Sequence, residues 1–139
     1  MKPILLDTGF IVALLDRSEK HHKMCVDIVN NINRHFITCE AVITESCYLL
    51  RNFPKAQKAI IQNIANHIFD LQWNIVGNEL RIIELMEKYK SVPMDFADAC
   101  LVVMAENYNI KDILTLDSDF EIYKFNNNGR FFSFATHHF

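Results

Sequence analysis

The chain has 139 residues, of which half are hydrophobic and 22% are charged, and this composition excludes an intrinsically disordered protein. Its length fits one domain with a full hydrophobic core and excludes two ordinary domains, so we expect a single domain over residues 1–139. The net charge of −3 predicts weak non-specific binding to nucleic acid, although cations bound at an acidic site would still permit a phosphodiester substrate.

The N-terminus and the apolar runs bear on where the protein acts. The sequence begins Met-Lys-Pro and continues directly into an apolar run, without a small-residue cleavage site. No apolar run approaches the roughly 20 residues that a membrane-spanning helix needs. We therefore expect a cytoplasmic protein with no membrane partner. The four cysteines show no C-x-x-C spacing, which favours free buried thiols over disulfides or zinc.

Short apolar runs alternate with segments of helical periodicity along the chain. In the first half, the predicted elements are a strand at 4–6, a helix capped by Thr8 over 10–15, a helix from Ser18, a strand at 36–39, a helix at 41–51 and a helix from Pro54 through Ile68. In the second half, they are a strand at 73–76, a helix after Asn78, a helix at 95–108, a strand at 113–115 and a fifth or edge strand at 131–134. This alternation predicts an α/β domain with a largely parallel sheet.

Four carboxylates lie within or next to apolar runs, where a carboxylate is costly unless it is paired or bound to a cation. Asp7 follows the first predicted strand and Asp117 follows the fourth, at the strand ends where such sheets bind ligands. Glu45 and Asp98 are expected in the first turns of two helices. Taken alone, Asp7 could be a helix cap and Glu45 an exposed helix residue. Their joint occurrence predicts one converging cluster whose counter-charge is a metal ion.

A site of carboxylates without histidine selects hard cations, so we expect Mg²⁺ or Mn²⁺ rather than zinc. Such ions neutralise a scissile phosphate, lower the pKa of a bound water and stabilise the leaving oxygen. A phosphatase that begins with a strand and D-x-D is disfavoured, because Gly9 stands where the second Asp belongs. A dinucleotide-binding site is also disfavoured, because no glycine-rich turn follows the first strand.

Four short motifs occur in order along the chain. They are Asp7-Thr8 after a strand, Thr44-Glu45 and Asp98-Ala99 in helices, and Thr115-Leu116-Asp117-Ser118-Asp119-Phe120 after the fourth strand. Together they resemble the PIN-domain ribonucleases, and most of all the stand-alone VapC-type toxins of prokaryotic toxin–antitoxin pairs. The resemblance implies a single PIN-like α/β domain of three layers (α/β/α), with a mainly parallel central sheet of four to five strands flanked by helices.

The resemblance also implies an activity, a site and partners. The activity is hydrolysis of RNA phosphodiester bonds by a Mg²⁺- or Mn²⁺-dependent endoribonuclease. The implied catalytic and metal-binding residues are Asp7, Glu45, Asp98 and Asp117. Thr115 matches the threonine of a T-x-D motif, and Thr8 matches the hydroxyl residue that follows the first Asp. The implied partners are an RNA substrate, a small antitoxin protein and a second copy of the chain in a homodimer.

Two further acids compete with the implied ligands. Asp95 shares a helix face with Asp98 and could be the N-cap of that helix or a ligand in its place. Asp119 competes with Asp117, although the T-x-D-x-x-F spacing favours Asp117.

A second interpretation is a catalytically weak PIN-like module that binds RNA or protein. The presence of all four acids disfavours it, because inactive relatives often lack some of them. Arg51, Lys55 and Lys58 are candidates to hold the RNA backbone at the edge of the groove.

Overall fold

A computed structural model describes residues 2–133 and shows an α/β fold built around a parallel sheet of five strands. The strands are β1 (Lys2–Leu6), β2 (Arg34–Ile37), β3 (Phe69–Asp70), β4 (Asp112–Leu114), β5 (Lys124–Phe125), β6 (Gly129–Arg130) and β7 (Phe132–Ser133). The central sheet has the order β3-β2-β1-β4-β7, and each neighbouring pair in it is parallel. β5 and β6 form a separate antiparallel hairpin. β7 is the last predicted strand, of which Phe134 lies outside the described residues.

Helices connect and flank the strands of this sheet. Within residues 2–133 they are α1 (Thr8–Leu15), α2 (His22–Asn31), α3 (Glu40–Leu49), α4 (Pro54–Ala65), α5 (Glu79–Lys88) and α6 (Phe96–Tyr108). A 3₁₀ turn at Ser118–Glu121 follows β4. The predicted α/β class with a mainly parallel central sheet is therefore confirmed. Among the described helices, none is both long enough and apolar enough to cross a membrane.

β1 and α6 lie at the centre of the core. β1 pairs with β2 on one side and β4 on the other, and Ile4, Leu5 and Leu6 have almost no exposed surface. A central strand of a parallel sheet is covered on both faces, which explains its uninterrupted apolar run. α6 is buried from residue 97 to residue 105, and Asp98 is the charged residue in that stretch. α6 thus carries a carboxylate into the core.

A buried ion pair fixes the end of the sheet where its strands begin. Nη2 of Arg34 lies 2.6 Å from Oδ2 of Asp112, and the same guanidinium donates to two backbone carbonyls of β1. Asp7 and Asp117 follow the carboxyl ends of β1 and β4, at the opposite end of the sheet. The two ends of the sheet therefore differ in chemistry. At the end where the strands begin, an aspartate is neutralised by an arginine, whereas two aspartates follow the opposite ends of the strands.

The strand predicted at residues 73–76 is wrong. The third strand is β3, which precedes that segment, and residues 73–76 form a loop. Trp73 is buried, whereas Ile75 and Val76 are exposed, so the apolar side chains of this segment do not form one buried face. Oδ1 of Asn74 accepts a hydrogen bond from Val76 N at 2.9 Å, an interaction that stabilises a turn rather than a strand.

Two predicted helices are shorter than expected. α2 does not begin at Ser18, because the N and Oγ of Ser18 both donate to Asp16 Oδ1 in a preceding turn. α4 ends before Ile68, because His67 adopts φ of 61°, a left-handed conformation that is typical just after a helix. Ile68 is consequently exposed rather than part of an apolar helix face.

Candidate active site

Asp7 is buried where β1 passes into α1 and is held by two hydrogen bonds. Its Oδ1 accepts from Thr8 N at 2.8 Å, and its Oδ2 accepts from Thr115 Oγ1 at 2.6 Å. The prediction that Thr8 caps α1 is wrong: Asp7 occupies the extended cap position, and Thr8 is already the first helical residue. The two bonds fix the carboxylate between the ends of β1 and β4.

Thr115 connects Asp7 to Asp117. Its hydroxyl donates to Asp7 and accepts a hydrogen bond from Asp117 N at 3.0 Å. Asp117 caps the 3₁₀ turn, because its Oδ1 accepts from Asp119 N at 2.9 Å. The T-x-D motif is thus a hydrogen-bonded chain in which the threonine sets the position of one acid relative to the other. Asp119 lies on the turn that Asp117 caps, and its role as an alternative ligand stays a prediction.

Asp98 projects from the first turn of α6, as predicted, and Asp95 is the N-cap of that helix. Oδ1 of Asp95 accepts from Asp98 N at 2.8 Å, which supports the capping interpretation of Asp95. Oδ2 of Asp98 accepts from the hydroxyl of Tyr123 at 3.0 Å. Tyr123 is fully buried and packs edge-on against the rings of Tyr89 and Phe120. Sequence reasoning missed Tyr123, because this residue lies outside every motif.

Glu45 lies on α3, further into the helix than the predicted first turn, because α3 already begins at Glu40. Its side chain is half-buried and lines an open cavity of about 560 Å³, which Asp95 and Phe96 also line. The cavity therefore opens between α3 and the start of α6. It lies between Glu45 and Asp95, and Asp95 is the N-cap of the helix that carries Asp98.

Burial and the charges of neighbouring acids act on Asp7 and Asp98. Burial raises the pKa of Asp7 from its ordinary value of 3.8 to about 6, and the charges of Asp117 and Glu45 add to this increase against its two hydrogen bonds. Burial likewise raises the pKa of Asp98 from 3.8 to about 7, with further increases from the charges of Asp95 and Asp7. The structure therefore brings Glu45, Asp98 and Asp117 within electrostatic reach of Asp7.

The donor atoms of these side chains suit a hard cation, because all are carboxylate oxygens. The hydroxyl of Thr8, next to Asp7, is a buried polar atom with no hydrogen-bond partner within residues 2–133. Such an atom is typically satisfied by a water or an ion. In the same part of the chain, however, no three His, Cys, Asp or Glu side chains are grouped closely enough to hold a metal ion. The acids are electrostatic neighbours, and sharing one ion requires side-chain movement.

Arg51, one of the predicted RNA-binding residues, contacts Tyr48, which lines the cavity of Glu45. Its Nη1 donates to the backbone carbonyl of Tyr48, and its guanidinium lies 4.3 Å from the centroid of the Tyr48 ring, which lines that cavity. Lys55 and Lys58 are exposed on α4, where Lys58 lines a different cavity. Of the three, Arg51 is the one that contacts a residue of the Glu45 cavity.

Residues 4–126 match the PIN domain family. Ribonuclease VapC26 of Mycobacterium tuberculosis (strain ATCC 25618 / H37Rv) is 26% identical to this chain over 117 residues, which cover 82% of this chain and 86% of the relative. The crystal structure of Mycobacterium tuberculosis VapC20, described as a Sarcin-Ricin loop cleaving toxin, superposes with a TM-score of 0.77 at 19% identity. That superposition covers 84% of this chain and 91% of the other, and it shows a shared fold. The resemblance to VapC-type PIN proteins is confirmed, and the chain belongs to the PIN domain family.

Proposed function

We propose that this protein is a Mg²⁺- or Mn²⁺-dependent endoribonuclease and the toxin of a type II toxin–antitoxin pair. The observation that supports the proposal is the buried Asp7, which Thr115 links to Asp117 by hydrogen bonds and which lies within electrostatic reach of Glu45 and Asp98. Acids whose pKa is raised by burial and by like charges are stabilised in their ionised form by a divalent cation. The name of the relative, Ribonuclease VapC26, supports RNA as the substrate.

In this proposal the chain positions its carboxylates and uses none of them as a nucleophile. Thr115 orients Asp7, because the threonine hydroxyl donates to Asp7 and is itself held by a hydrogen bond from Asp117 N. Tyr123 orients Asp98 from the protein interior. A bound divalent cation supplies charge neutralisation for the scissile phosphate and a lowered pKa for the attacking water. Arg51, which stacks on the cavity residue Tyr48, is suited to contact the RNA backbone.

The proposal includes an antitoxin, a homodimer and action in the cytoplasm. The antitoxin would cover the acidic site and block access of RNA. Exposed apolar side chains near α3 and α4 offer surface for contacts with other protein chains. They are Tyr48, Leu49, Phe53 and Ile61.

A catalytically weak PIN-like module that binds RNA or protein is the second candidate. The observation that favours it is the separation of the acids, because no three of them within residues 2–133 are grouped closely enough for one ion. Isothermal titration with Mn²⁺ separates the candidates. The nuclease should bind Mn²⁺ saturably, whereas the weak module should give little heat.

The variant Asp7→Asn tests the nuclease directly, with Asp112→Asn as a matched control. Both acids are 5% exposed, but Asp112 lies at the opposite end of the sheet and pairs with Arg34. We expect wild-type protein to cleave total RNA with Mg²⁺ and to stop when a chelator is added. Asp7→Asn should lose activity by on the order of 100-fold or more, because even an outer-shell partner contributes about 10- to 100-fold.

Asp112→Asn, assayed at a temperature where it is folded, should still cleave. Full activity of Asp7→Asn on a cleavable RNA would refute the assignment of the site.

A further inference from the structure

A second cavity lies beside the cavity of Glu45. It has a volume of about 310 Å³ and opens between the start of α3, the start of α6 and the loop that follows β3. Ala41 and Phe96 line both this cavity and the cavity of Glu45, so the two are adjacent. Phe96 is also the first residue of α6, the helix that carries Asp98. A ligand in the second cavity would therefore lie next to the proposed site of cleavage.

Two aromatic side chains form part of the cavity wall. Phe96 is 44% exposed although it is a large apolar residue. Trp73 is mostly buried, and its ring is fixed by a hydrogen bond of 2.8 Å from Nε1 to Oδ1 of Asn107. Aromatic faces of this kind stack on unpaired nucleobases in proteins that bind single-stranded nucleic acid. The exposed ring of Phe96 offers such a face.

Three polar residues of the wall carry groups suited to the edge of a base. Glu40, Gln72 and Asn74 line the cavity, and Glu40 contributes a carboxylate that only accepts hydrogen bonds when ionised. Oδ1 of Asn74 holds the turn through Val76 N, so the amide nitrogen is its donor towards a ligand. A carboxylate on the wall disfavours a phosphate and favours a group with N–H donors.

Among RNA bases, guanine presents two neighbouring N–H donors on its Watson–Crick edge, and a carboxylate accepts both. Uracil presents one N–H between two carbonyl oxygens, which match a carboxylate poorly. A cavity of about 310 Å³ lies at the lower end of the range for small-molecule sites, roughly 300–1,000 Å³, which suits one base or nucleoside.

We propose that this cavity binds one unstacked base of the RNA, next to the scissile phosphate, and prefers guanine to uracil. The inference rests on the proposed ribonuclease function, and it names the part of the RNA substrate that the neighbouring cavity binds. Phe96 stacks on the base, Glu40 accepts from its N–H donors, and Trp73 closes the wall. The occupant is a base in a single-stranded segment, because bases in a duplex do not present this edge.

The single tryptophan of the chain makes the test specific, because its indole N–H gives one signal from the cavity wall. The experiment titrates ¹⁵N-labelled Asp7→Asn protein, the variant expected to lose cleavage, with guanosine 5′-monophosphate, uridine 5′-monophosphate and ribose 5-phosphate. We expect the Trp73 signal to move saturably with guanosine monophosphate and several-fold more weakly with uridine monophosphate. Ribose 5-phosphate, which lacks a base, should leave it unmoved.

Variants then test each wall residue in the same background. Phe96→Ala should weaken the binding of guanosine monophosphate about tenfold, in the range of one base stacked on one ring. Tyr108→Ala is the matched control, because Tyr108 is an aromatic residue of the same helix and is 43% exposed at its other end. Glu40→Gln should reduce the preference for guanosine over uridine monophosphate. Phe96→Leu, which keeps apolar bulk without a ring, replaces Phe96→Ala if alanine disturbs the fold.

An unmoved indole signal with guanosine monophosphate would overturn the inference, and so would an equal shift with ribose 5-phosphate. Unchanged affinity in both Phe96 variants would overturn it as well. Cleavage of total RNA by wild-type protein is measured in parallel, which separates the two proposals. Cleavage without base binding refutes the base site alone, whereas base binding without cleavage refutes the nuclease and leaves the base site standing.

Discussion

Asparagine in place of Asp7 should stabilise the protein when no divalent cation is present. Asp7 is 5% exposed, and its pKa is raised from 3.8 to about 6, first of all by burial. The folded state therefore binds a proton at this carboxyl more readily than the unfolded state does. The stabilisation of the folded state by this bound proton is fully present below about pH 4 and is lost as the pH rises through about 6. At pH 8 the wild type carries the whole cost of a buried charge.

The size of the stabilisation follows from the raised pKa of Asp7. An increase from 3.8 to about 6 lowers the free energy of unfolding of the wild type by about 3 kcal/mol at pH 8. Asparagine avoids that cost, but its amide cannot reproduce both hydrogen bonds to Thr8 and Thr115, which removes about 1 kcal/mol. The free energy of unfolding of Asp7→Asn should therefore exceed that of the wild type by about 2 kcal/mol. For a chain of 139 residues this corresponds to an increase in Tm of about 5 °C or more.

The assay is thermal unfolding of both proteins with a chelator, followed by circular dichroism between pH 8 and pH 4. The advantage of Asp7→Asn should be largest at pH 8 and should shrink as the pH falls, because the wild-type carboxyl becomes protonated. Added Mg²⁺ should raise the Tm of the wild type and leave that of the variant nearly unchanged. The reasoning is refuted if the variant is the less stable protein at pH 8 with chelator, or if its advantage is the same at every pH.

Three further changes test other contacts of the site and the sheet. Thr115→Val removes the hydroxyl that holds Asp7 and should weaken Mn²⁺ binding about 10- to 100-fold in a calorimetric titration. Tyr123→Phe removes a hydrogen bond that lowers the pKa of Asp98, so this pKa should rise and the acidic limb of the pH profile of cleavage should move to higher pH. Asp112→Asn breaks the buried ion pair of the sheet and should lower the free energy of unfolding by about 3 kcal/mol in urea, with cleavage retained.

The aromatic neighbour of Tyr123 provides a control for one of these changes. Tyr89→Phe removes a hydroxyl that accepts from Lys124 N rather than one that donates to Asp98, so it should leave the pH profile unchanged. The contradicting results are an unchanged Mn²⁺ affinity in Thr115→Val, a pH profile of Tyr123→Phe that moves to lower pH, and loss of cleavage by folded Asp112→Asn.

The class of fold was predictable because a buried parallel strand must be apolar on both faces. Residues 4–6 show this run, and β1 contains them. Residues 73–76 are also mostly apolar, but they form a loop rather than a strand, and only Trp73 among their apolar residues is buried. Its burial comes from a loop that packs against α6 through Asn107, a tertiary contact that periodicity does not encode.

The positions of two candidate acids in the fold were predictable, whereas the geometry of the site was not. Asp7 and Asp117 follow apolar strands, and the structure places both at strand ends as expected. The partner of Asp98 was not predictable, because Tyr123 reaches it from a part of the chain 25 residues away. The separation of the acids was not predictable either, because side-chain directions depend on packing. Within residues 2–133 the structure assembles a charged neighbourhood rather than a finished cage for one ion.

A crystal structure with Mn²⁺, located by its anomalous scattering, tests the central claim most directly. We predict an ion about 2.1 Å from a carboxylate oxygen of Asp7, with oxygens of at least two of Glu45, Asp98 and Asp117 turned towards it directly or through water. Saturating Mn²⁺ that leaves Asp7 without an ion, or that binds only on another face of the molecule, would contradict the account.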